Sequence, residues 1–298
     1  MLYVPEKSRT GVRRSQGGCV TIDGIRDAGY LGRHSRASKR GGIDVPQVFF
    51  QWVKSTRGFE FRVDVRARVK GMLPNSAERL RAEFWKALSA PEHHVGFPLP
   101  LSGAPFRFSP LFSTAPFALC REFAPHQPLF FRFSCWGDRV ASAFRNFLDL
   151  RPVLLLGGFP FEGVQLSHRE TSSEALCGLP KVLNLEFLTP VAFRSDHNDH
   201  LPFPCPEALA HYLARATDNA MLPPPLLRAT KGQTCSFRFT SHAAAGFLGS
   251  VQIESCHPEL YGLLHFLGTG YANDRGMGVT LVHELQPDRS FYALPTSP

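Results

Sequence analysis

Apolar and polar residues alternate without a break between residues 59 and 69. The apolar set is Phe59, Phe61, Val63, Val65, Ala67 and Val69. The polar set between them is Glu60, Arg62, Asp64, Arg66 and Arg68. Because side chains of a strand point to opposite faces in turn, this period of two predicts a strand with one buried face and one polar, mostly basic face.

The pattern then changes to a helical period. Asn75 stands three residues before Glu78, as in a capping box, and opens a predicted helix. One side of that helix is apolar: Ala77, Leu80, Phe84 and Leu88. Extended segments, a helix capped by Asp138 and a final extended segment complete the first half. One extended segment runs to about Phe108, and the others are Phe117–Phe123, Leu129–Ser134 and Val153–Leu166.

The second half repeats the same order of elements. Its predicted strands are Val182–Phe193, Cys235–Ser241, Gly246–Glu254 and Met277–His283. Pro206 and Pro258 each stand well as the first residue of a helix, the second running to Leu267. Both halves therefore read β-α-β-β-α-β, which predicts an α+β protein of tandem ferredoxin-like (RRM-like) domains. The expected division is a basic Arg/Gly-rich arm at 1–43, a first domain at 44–175 and a second domain at 176–298, with a linker near Ser172–Pro180.

Charge changes this picture by indicating the class of ligand. The net charge is +8, and residues 1–86 hold 18 of the 33 Lys and Arg residues. Arginine outnumbers lysine in the arm and forms forked contacts with phosphate. A basic surface focused in this way favours binding of a polyanion over a merely solubilising role.

Cysteine usage and the N-terminus indicate the compartment. Seven scattered cysteines without a CxxC pair predict neither a zinc site nor a disulfide framework, and most are expected to be small core residues. The N-terminus lacks an apolar signal segment, and no apolar run approaches membrane-spanning length. We therefore expect a soluble cytoplasmic protein without a membrane partner.

The most distinctive motif is the glycine-rich loop from Gly268 to Gly278. Glycines at 268, 270, 276 and 278 allow close backbone approach and can direct N–H groups at phosphate oxygens, with Arg275 as a fixed charge. The loop follows a helix and leads into a strand, which excludes a Rossmann fingerprint. It also lacks the Lys-Ser or Lys-Thr of a Walker loop.

Together these segments resemble a known family. Gly246-Phe247-Leu248-Gly249-Ser250-Val251, the helix Leu260–Leu267 and the Gly-rich loop are similar to the C-terminal signature of CRISPR precursor-RNA-processing endoribonucleases of the RAMP superfamily. Leu188-Thr189-Pro190 and the strand-Gly-helix segment Pro128–Leu150 are similar to further family segments in the same order. The resemblance spans roughly residues 100–285.

The resemblance implies a metal-independent endoribonuclease without a cofactor. It would bind the repeat hairpin of CRISPR precursor RNA, and the substrate's 2′-hydroxyl would attack the adjacent phosphate. The products would be a 2′,3′-cyclic phosphate and a 5′-hydroxyl. The mature crRNA would stay bound, together with other CRISPR effector subunits. The alternative is a non-catalytic RAMP-type subunit that only holds crRNA, and a third reading is an ordinary two-domain RNA-binding protein.

The catalytic residues are where the sequence departs from the family. Family members often carry a catalytic His in the first domain, but the first helix here has none. The candidates are therefore His34, His93 and three arginines, Arg26, Arg40 and Arg238, with His242 as a more remote one. An arginine is too basic to take the proton, but it can position the 2′-OH and stabilise phosphorane charge. An arginine-rich arm in place of the His-bearing helix resembles the variant processing enzyme of type IV CRISPR systems.

The remaining candidates are contacts to RNA. They comprise arm residues, the basic strand face and the loop: Arg13, Arg14, Arg33, Arg36, Arg62, Arg66, Arg68, Gly268, Gly270, Arg275, Gly276 and Gly278. The strand face is equally consistent with a solvated edge. Asp196, His197, Asp199 and His200 are residue types that bind metals, but a polar surface loop has the same composition, so no metal site is expected.

Overall fold

The computed structural model describes residues 56–89, 106–114, 117–194, 200–216 and 222–285. Its strands are β1 (Gly58–Ala67), β2 (Gly71–Met72), β3 (Phe106–Phe108), β4 (Phe112–Thr114), β5 (Phe117–Leu119), β6 (Glu122–Phe123), β7 (Pro128–Trp136), β8 (Leu154–Leu156), β9 (Phe159–Thr171), β10 (Val182–Val191), β11 (Phe193–Arg194), β12 (His200–Leu201), β13 (Leu226–Arg238), β14 (Ala243–Glu254) and β15 (Thr280–Val282). Its α-helices are α1 (Ser76–Ser89), α2 (Asp138–Asp149), α3 (Ser173–Cys177), α4 (Pro206–Ala216), α5 (Pro258–Gly262) and α6 (Leu264–Leu267), and short 3-10 turns lie at Asn273–Arg275 and His283–Leu285. None of the described helices is both long enough and apolar enough to cross a membrane.

The first sheet has the strand order β5-β4-β7-β1-β9-β8, and β3 also pairs with β7. Strand β1 lies between β7 and β9 and is antiparallel to both. This is the ferredoxin-like arrangement, in which the first and third strands are central. Helices α1 and α2 cover one face, where a dense group of phenylalanines forms the core; Phe133 and Phe144, for example, stack at 3.8 Å.

The second sheet has the order β13-β14-β10-β15, again ferredoxin-like. Its core consists of the inward residues of β10 and β14 packed against α4, α5 and α6. The fold class predicted from the sequence is thus confirmed as tandem ferredoxin-like domains, whereas the exact domain limits stay a prediction. The expected linker contains a short helix, α3, whose Leu176 packs beside Gly262.

Local signals placed most elements correctly. The side chain of Asn75 caps α1 by accepting from the N–H groups of Ala77 (3.0 Å) and Glu78 (3.3 Å). Helix α2, by contrast, is capped by Gly137 at φ 117°, so the expectation that Asp138 is the cap was wrong by one residue. The predicted single helix Pro258–Leu267 is divided at Leu263, where α5 ends and α6 begins.

Two expectations about burial need correction. The polar face of β1 is not open along its length, because Glu60 and Arg62 are buried (2% and 5% exposed). Among the cysteines, Cys120 and Cys135 are buried, but Cys177 and Cys256 are exposed. The first correction matters for function, since the second domain contacts the first on that polar face.

Candidate functional site

The Gly-rich loop is built on backbone conformations that favour glycine. Gly268, Gly270, Gly276 and Gly278 have φ values of 67°, 80°, 91° and 60°. A Cβ at Gly278 would collide with the carbonyl oxygen of Thr269, and one at Gly270 with that of Ala192. The spacing of the glycines therefore reflects close packing of backbone on backbone.

The N–H groups of this loop already have partners inside the protein. Gly278 N–H donates to Pro190 O (2.8 Å), and Gly268 N–H donates to Leu264 O (2.9 Å). Gly276 N–H donates more weakly to Asn273 O (3.4 Å). All four loop glycines are buried. At 268, 276 and 278 the N–H groups thus stabilise the loop itself, and contact between the loop glycines and RNA stays a prediction.

The loop is also fastened to the first domain. The Asn75 side-chain amide donates to Arg275 O (2.8 Å), and Arg81 pairs with Asp274 at 3.1 Å. A Cβ on Gly276 would press on Ala77 at the start of α1. The N-terminal turn of α1 and the Gly-rich loop therefore form one continuous surface between the domains.

The β13–β14 hairpin reaches the same place. Both the N–H and the hydroxyl of Thr240, at the hairpin tip, donate to Glu78 Oε2 at 3.0 and 2.6 Å. Behind the tip, Phe237 and Phe239 pack with Met277 of the loop. We call this meeting point of the α1 N-terminal turn (75–81), the Gly-rich loop (268–278) and the hairpin tip (238–243) the junction.

The junction presents cations to solvent. Arg79, Arg238 and Arg275 are exposed, one from each of the three segments. His242 is exposed too, with its ring stacked on Phe239 at 4.6 Å and its Nδ1 3.0 Å from Ser241 Oγ. The Arg79 side chain lies toward Gly157 of the β8–β9 turn, so Arg238, His242 and Arg275 are the groups at the junction that suit a polyanion.

Beneath the junction lies a buried charged triad formed by Glu60, Arg132 and His265, each 2% exposed. Arg132 pairs with Glu60 and donates to the carbonyls of His265 (2.7 Å) and Thr280 (2.9 Å). His265 Nε2 lies 3.2 Å from Glu60 Oε2. The triad thus joins β1 and β7 of the first domain to α6 and β15 of the second.

Hydrogen bonding defines the state of the buried histidine. Val282 N–H donates to His265 Nδ1 (3.2 Å), so the ring proton lies on Nε2 and is donated to Glu60. Burial, and then the Arg132 charge, lower the pKa of His265 despite the opposing effect of Glu60. A neutral His265 therefore lies between the domains, and its role is to hold them together.

The other sequence-predicted residues fall into two groups. Arg62 lies within the protein, 2.8 Å from Asp64 and stacked over Phe130, whereas Arg66 is exposed and Arg68 pairs with Glu162. Contact between RNA and these three arginines stays a prediction. Arg62 is the least accessible of the three to solvent. The rest lie outside the described residues: Arg13, Arg14, Arg26, Arg33, His34, Arg36, Arg40 and His93.

The residues of the triad were not recognised from the sequence. Glu60 looked like one more residue of an exposed strand face, and Arg132 lay unremarked within an apolar strand. The signal was present, because a single arginine inside the run Leu129–Cys135 predicts a buried charge that needs a partner. No cluster of three or more His, Cys, Asp or Glu side chains suited to a metal ion occurs in the described ranges.

Comparison with known proteins supports the reading of the second domain. Residues 185–280 match the family model of the CRISPR-associated endoribonuclease Cas6. This segment includes most of β10, the long β13–β14 hairpin and the whole of the Gly-rich loop. Over this segment the chain is similar to the Cas6 endoribonucleases. No curated protein sequence matches it closely enough to count as a homologue.

Solved Cas6 structures have the same fold over most of the chain. A product complex of Cas6 from Thermus thermophilus is 19% identical, with a TM-score of 0.58, covering 74% of this chain and 98% of that one. A Cas6-related protein from Pyrococcus furiosus is 14% identical, with a TM-score of 0.57 and coverage of 76% and 98%. A RAMP protein binding different RNA substrates is similar at 14% identity, a TM-score of 0.53 and coverage of 76% and 99%. At these identities the likeness shows the fold.

Proposed function

We propose that this protein is a metal-independent endoribonuclease that binds the repeat hairpin of CRISPR precursor RNA and cleaves it. The observation that carries the proposal is the junction. The segment matching the Cas6 family model supplies most of it, including the exposed cations Arg238 and Arg275. We place the base of the RNA stem there, with the product retained and the protein joined to other effector subunits in the cytoplasm.

The proposed chemistry is transesterification within the substrate. The 2′-oxygen attacks the adjacent phosphorus, the bond to the 5′-oxygen breaks, and a 2′,3′-cyclic phosphate and a 5′-hydroxyl result. The reaction requires removal of the 2′ proton, donation of a proton to the leaving oxygen and cations around the phosphorane. Since the nucleophile belongs to the substrate, acid–base groups and fixed positive charge can suffice.

Arg238 is the described residue that we assign to this chemistry. It ends β13, is exposed, and lies two residues from Thr240, which contacts α1. Its guanidinium would position the 2′-hydroxyl and stabilise the phosphorane, because an arginine does not readily give up its proton. Arg26 and Arg40 of the arm, and His34 and His93, are the further candidates. The arginine-rich arm is the reason to propose the type IV variant.

The test of the reaction is incubation of the pure full-length protein with repeat RNA in EDTA. We expect one discrete cut that a single 2′-deoxy substitution at the cleaved nucleotide abolishes. Cutting that requires added metal, or that survives the 2′-deoxy substitution, contradicts the mechanism. Tight binding without any cut would instead favour the non-catalytic crRNA-binding subunit.

The residue assignment needs single-turnover rates measured beside affinities. We expect Arg238→Ala to lower the cleavage rate by more than it weakens binding, and Arg238→Lys to restore only part of the rate. Lys231→Ala is the matched control, since Lys231 is exposed on the same strand. Loss of cutting in His34→Ala or His93→Ala, with full activity in Arg238→Ala, Arg26→Ala and Arg40→Ala, would show that the arginine assignment is wrong.

A further inference from the structure

A ladder of three phenylalanine rings crosses the edge of the first sheet. Phe117 stacks on Phe112 with ring centroids 5.0 Å apart and planes 14° apart, and Phe112 contacts Phe130 at 5.5 Å. The Arg62 guanidinium lies 4.4 Å from the centroid of Phe130. Phe117 also lies 5.9 Å from Phe130, so the ladder is closely packed, with Arg62 at its buried end and Phe117 at its exposed end.

The ladder ends in an exposed aromatic ring. Phe112 and Phe130 are 1% exposed, whereas Phe117 is 44% exposed. Strand β5, which carries Phe117, is the edge of its sheet, and no further strand pairs with it in the described part of the chain. Since Phe112 covers one face of the Phe117 ring, the exposed area is its outer face and rim. A flat ring held from beneath in this way offers a stacking surface.

The position of the ladder connects it to the junction. In the β4–β5 hairpin Phe112 pairs with Leu119, and Thr114 pairs with Phe117, so their side chains share one face of the sheet. Leu119 packs against the cluster of Phe237, Phe239 and Met277 at the base of the hairpin tip. The exposed ring thus lies along the same face as the junction, displaced toward the sheet edge.

A cation accompanies the ring. Arg121 lies two residues beyond the end of β5 and lines an open cavity of about 560 Å³ beside the β4–β5 hairpin. The other lining residues are Ser113, Leu119, Cys120, Glu122 and Gln127. Arg121 follows Phe117 by four residues, so this segment carries the two elements that hold a single strand, a π-face for stacking with a base and a positive charge for a phosphate.

We propose that Phe117 is a stacking platform for an unpaired base of the bound RNA, with Arg121 on the adjoining phosphate. The inference rests on the proposed function, since it places single-stranded RNA flanking the hairpin along the sheet face that leads away from the junction. An RNA base is favoured over a protein partner because the chain carries a net charge of +8, and Phe117 shares its strand with Leu119, which packs at the base of the junction. Stacking on a ring is sequence-tolerant, because every base has a π-face, so the platform holds any flanking base.

The experiment compares two RNAs by fluorescence anisotropy in EDTA at fixed salt: the repeat stem-loop alone, and the same stem-loop with single-stranded flanks. We expect Phe117→Ala to weaken binding of the flanked RNA about 5- to 150-fold, the range of one base stack, and to leave the bare stem-loop unchanged. Phe117→Trp restores affinity, whereas Phe117→Leu, which keeps apolar bulk without a π-face, does not.

Each result has a defined meaning. Equal binding of flanked RNA by wild type and Phe117→Ala overturns the platform and leaves this edge to a protein partner. Full affinity in Phe117→Leu also overturns it, because apolar bulk would then suffice. Equal weakening on both RNAs assigns Phe117 a structural role and overturns it as well. Wild-type protein that binds neither RNA overturns the proposed function itself, which distinguishes the two failures.

Discussion

Arg132→Met tests whether the buried triad holds the two domains together. Methionine fills most of the space of the arginine stem but removes the charge and every donor. In the wild type these donors serve Glu60 and the carbonyls of His265 (2.7 Å) and Thr280 (2.9 Å), all within a region from which water is excluded. The substitution therefore leaves one carboxylate and two carbonyls without their cation.

The magnitude follows from those lost partners. Each buried carbonyl left unsatisfied costs about 1–3 kcal/mol, and removing one member of a buried ion pair costs about 3–5 kcal/mol. The contributions share one guanidinium and do not add fully, so we expect a loss of about 3–5 kcal/mol in the free energy of unfolding. A domain is typically stable by about 5–15 kcal/mol, so this loss removes a large share.

Urea unfolding followed by tryptophan fluorescence measures this loss. Trp136 is a suitable probe, since it is buried and packs on Phe266 of the second domain at 5.1 Å. Arg68→Ala is the control, because Arg68 directly follows β1, the strand that carries Glu60, and its pair with Glu162 is partly exposed and worth at most about 1 kcal/mol. Adding Glu60→Gln to Arg132→Met should recover part of the loss by removing the unpaired buried charge. Equal losses in Arg132→Met and Arg68→Ala would refute the argument.

Three further predictions concern the histidine, the loop and its arginine. Burial lowers the pKa of His265 from 6.5, so the unfolded chain binds the proton first and the free energy of unfolding decreases as pH falls below about 6.5. Measured against pH, the unfolding free energy of His265→Gln should lack this decrease. The control His126→Gln, which alters an exposed ring, should retain it. Gly278→Ala should lower the melting temperature well below that of Gly158→Ala, because both glycines have positive φ but only the former faces a backbone oxygen; equal melting temperatures would contradict close packing as the reason for that glycine. Arg275→Ala should reduce the slope of log affinity against log salt by roughly 0.7–0.9, the value of one phosphate contact, and an unchanged slope would place Arg275 off the RNA.

Local patterns predicted the elements well because their causes are local. The alternation in β1, the cap at Asn75 and the proline that starts α4 depend on neighbours a few residues away. The short strands β3 to β6 were harder, since they are two or three residues long in a proline-rich stretch and are stabilised by pairing with distant partners. Strand β13 begins nine residues earlier than predicted, at Leu226, because its outer half is exposed and lacks alternation.

Contacts between the domains could not be predicted in the same way. A period of two reveals that one face of β1 is polar, but not whether a second domain covers it. Glu60 is accordingly buried against His265, while Arg66, six residues further along the same face of the strand, is exposed. Glycine spacing likewise revealed that the backbone is approached closely within the loop, but not that the approaching group is protein.

That last point explains why the sequence similarity to the Cas6 family includes the loop, although the cleavage chemistry is proposed to lie beside it. The positive φ values and close contacts at Gly270 and Gly278 admit almost no other residue, so the fold directly constrains which amino acid stands at these two positions. An arginine that contacts RNA is constrained only by reach and charge, so it can come from the loop, the hairpin tip or the arm. Sequence similarity therefore concentrates where the backbone is crowded, and the reacting groups have to be located by rates measured on single substitutions.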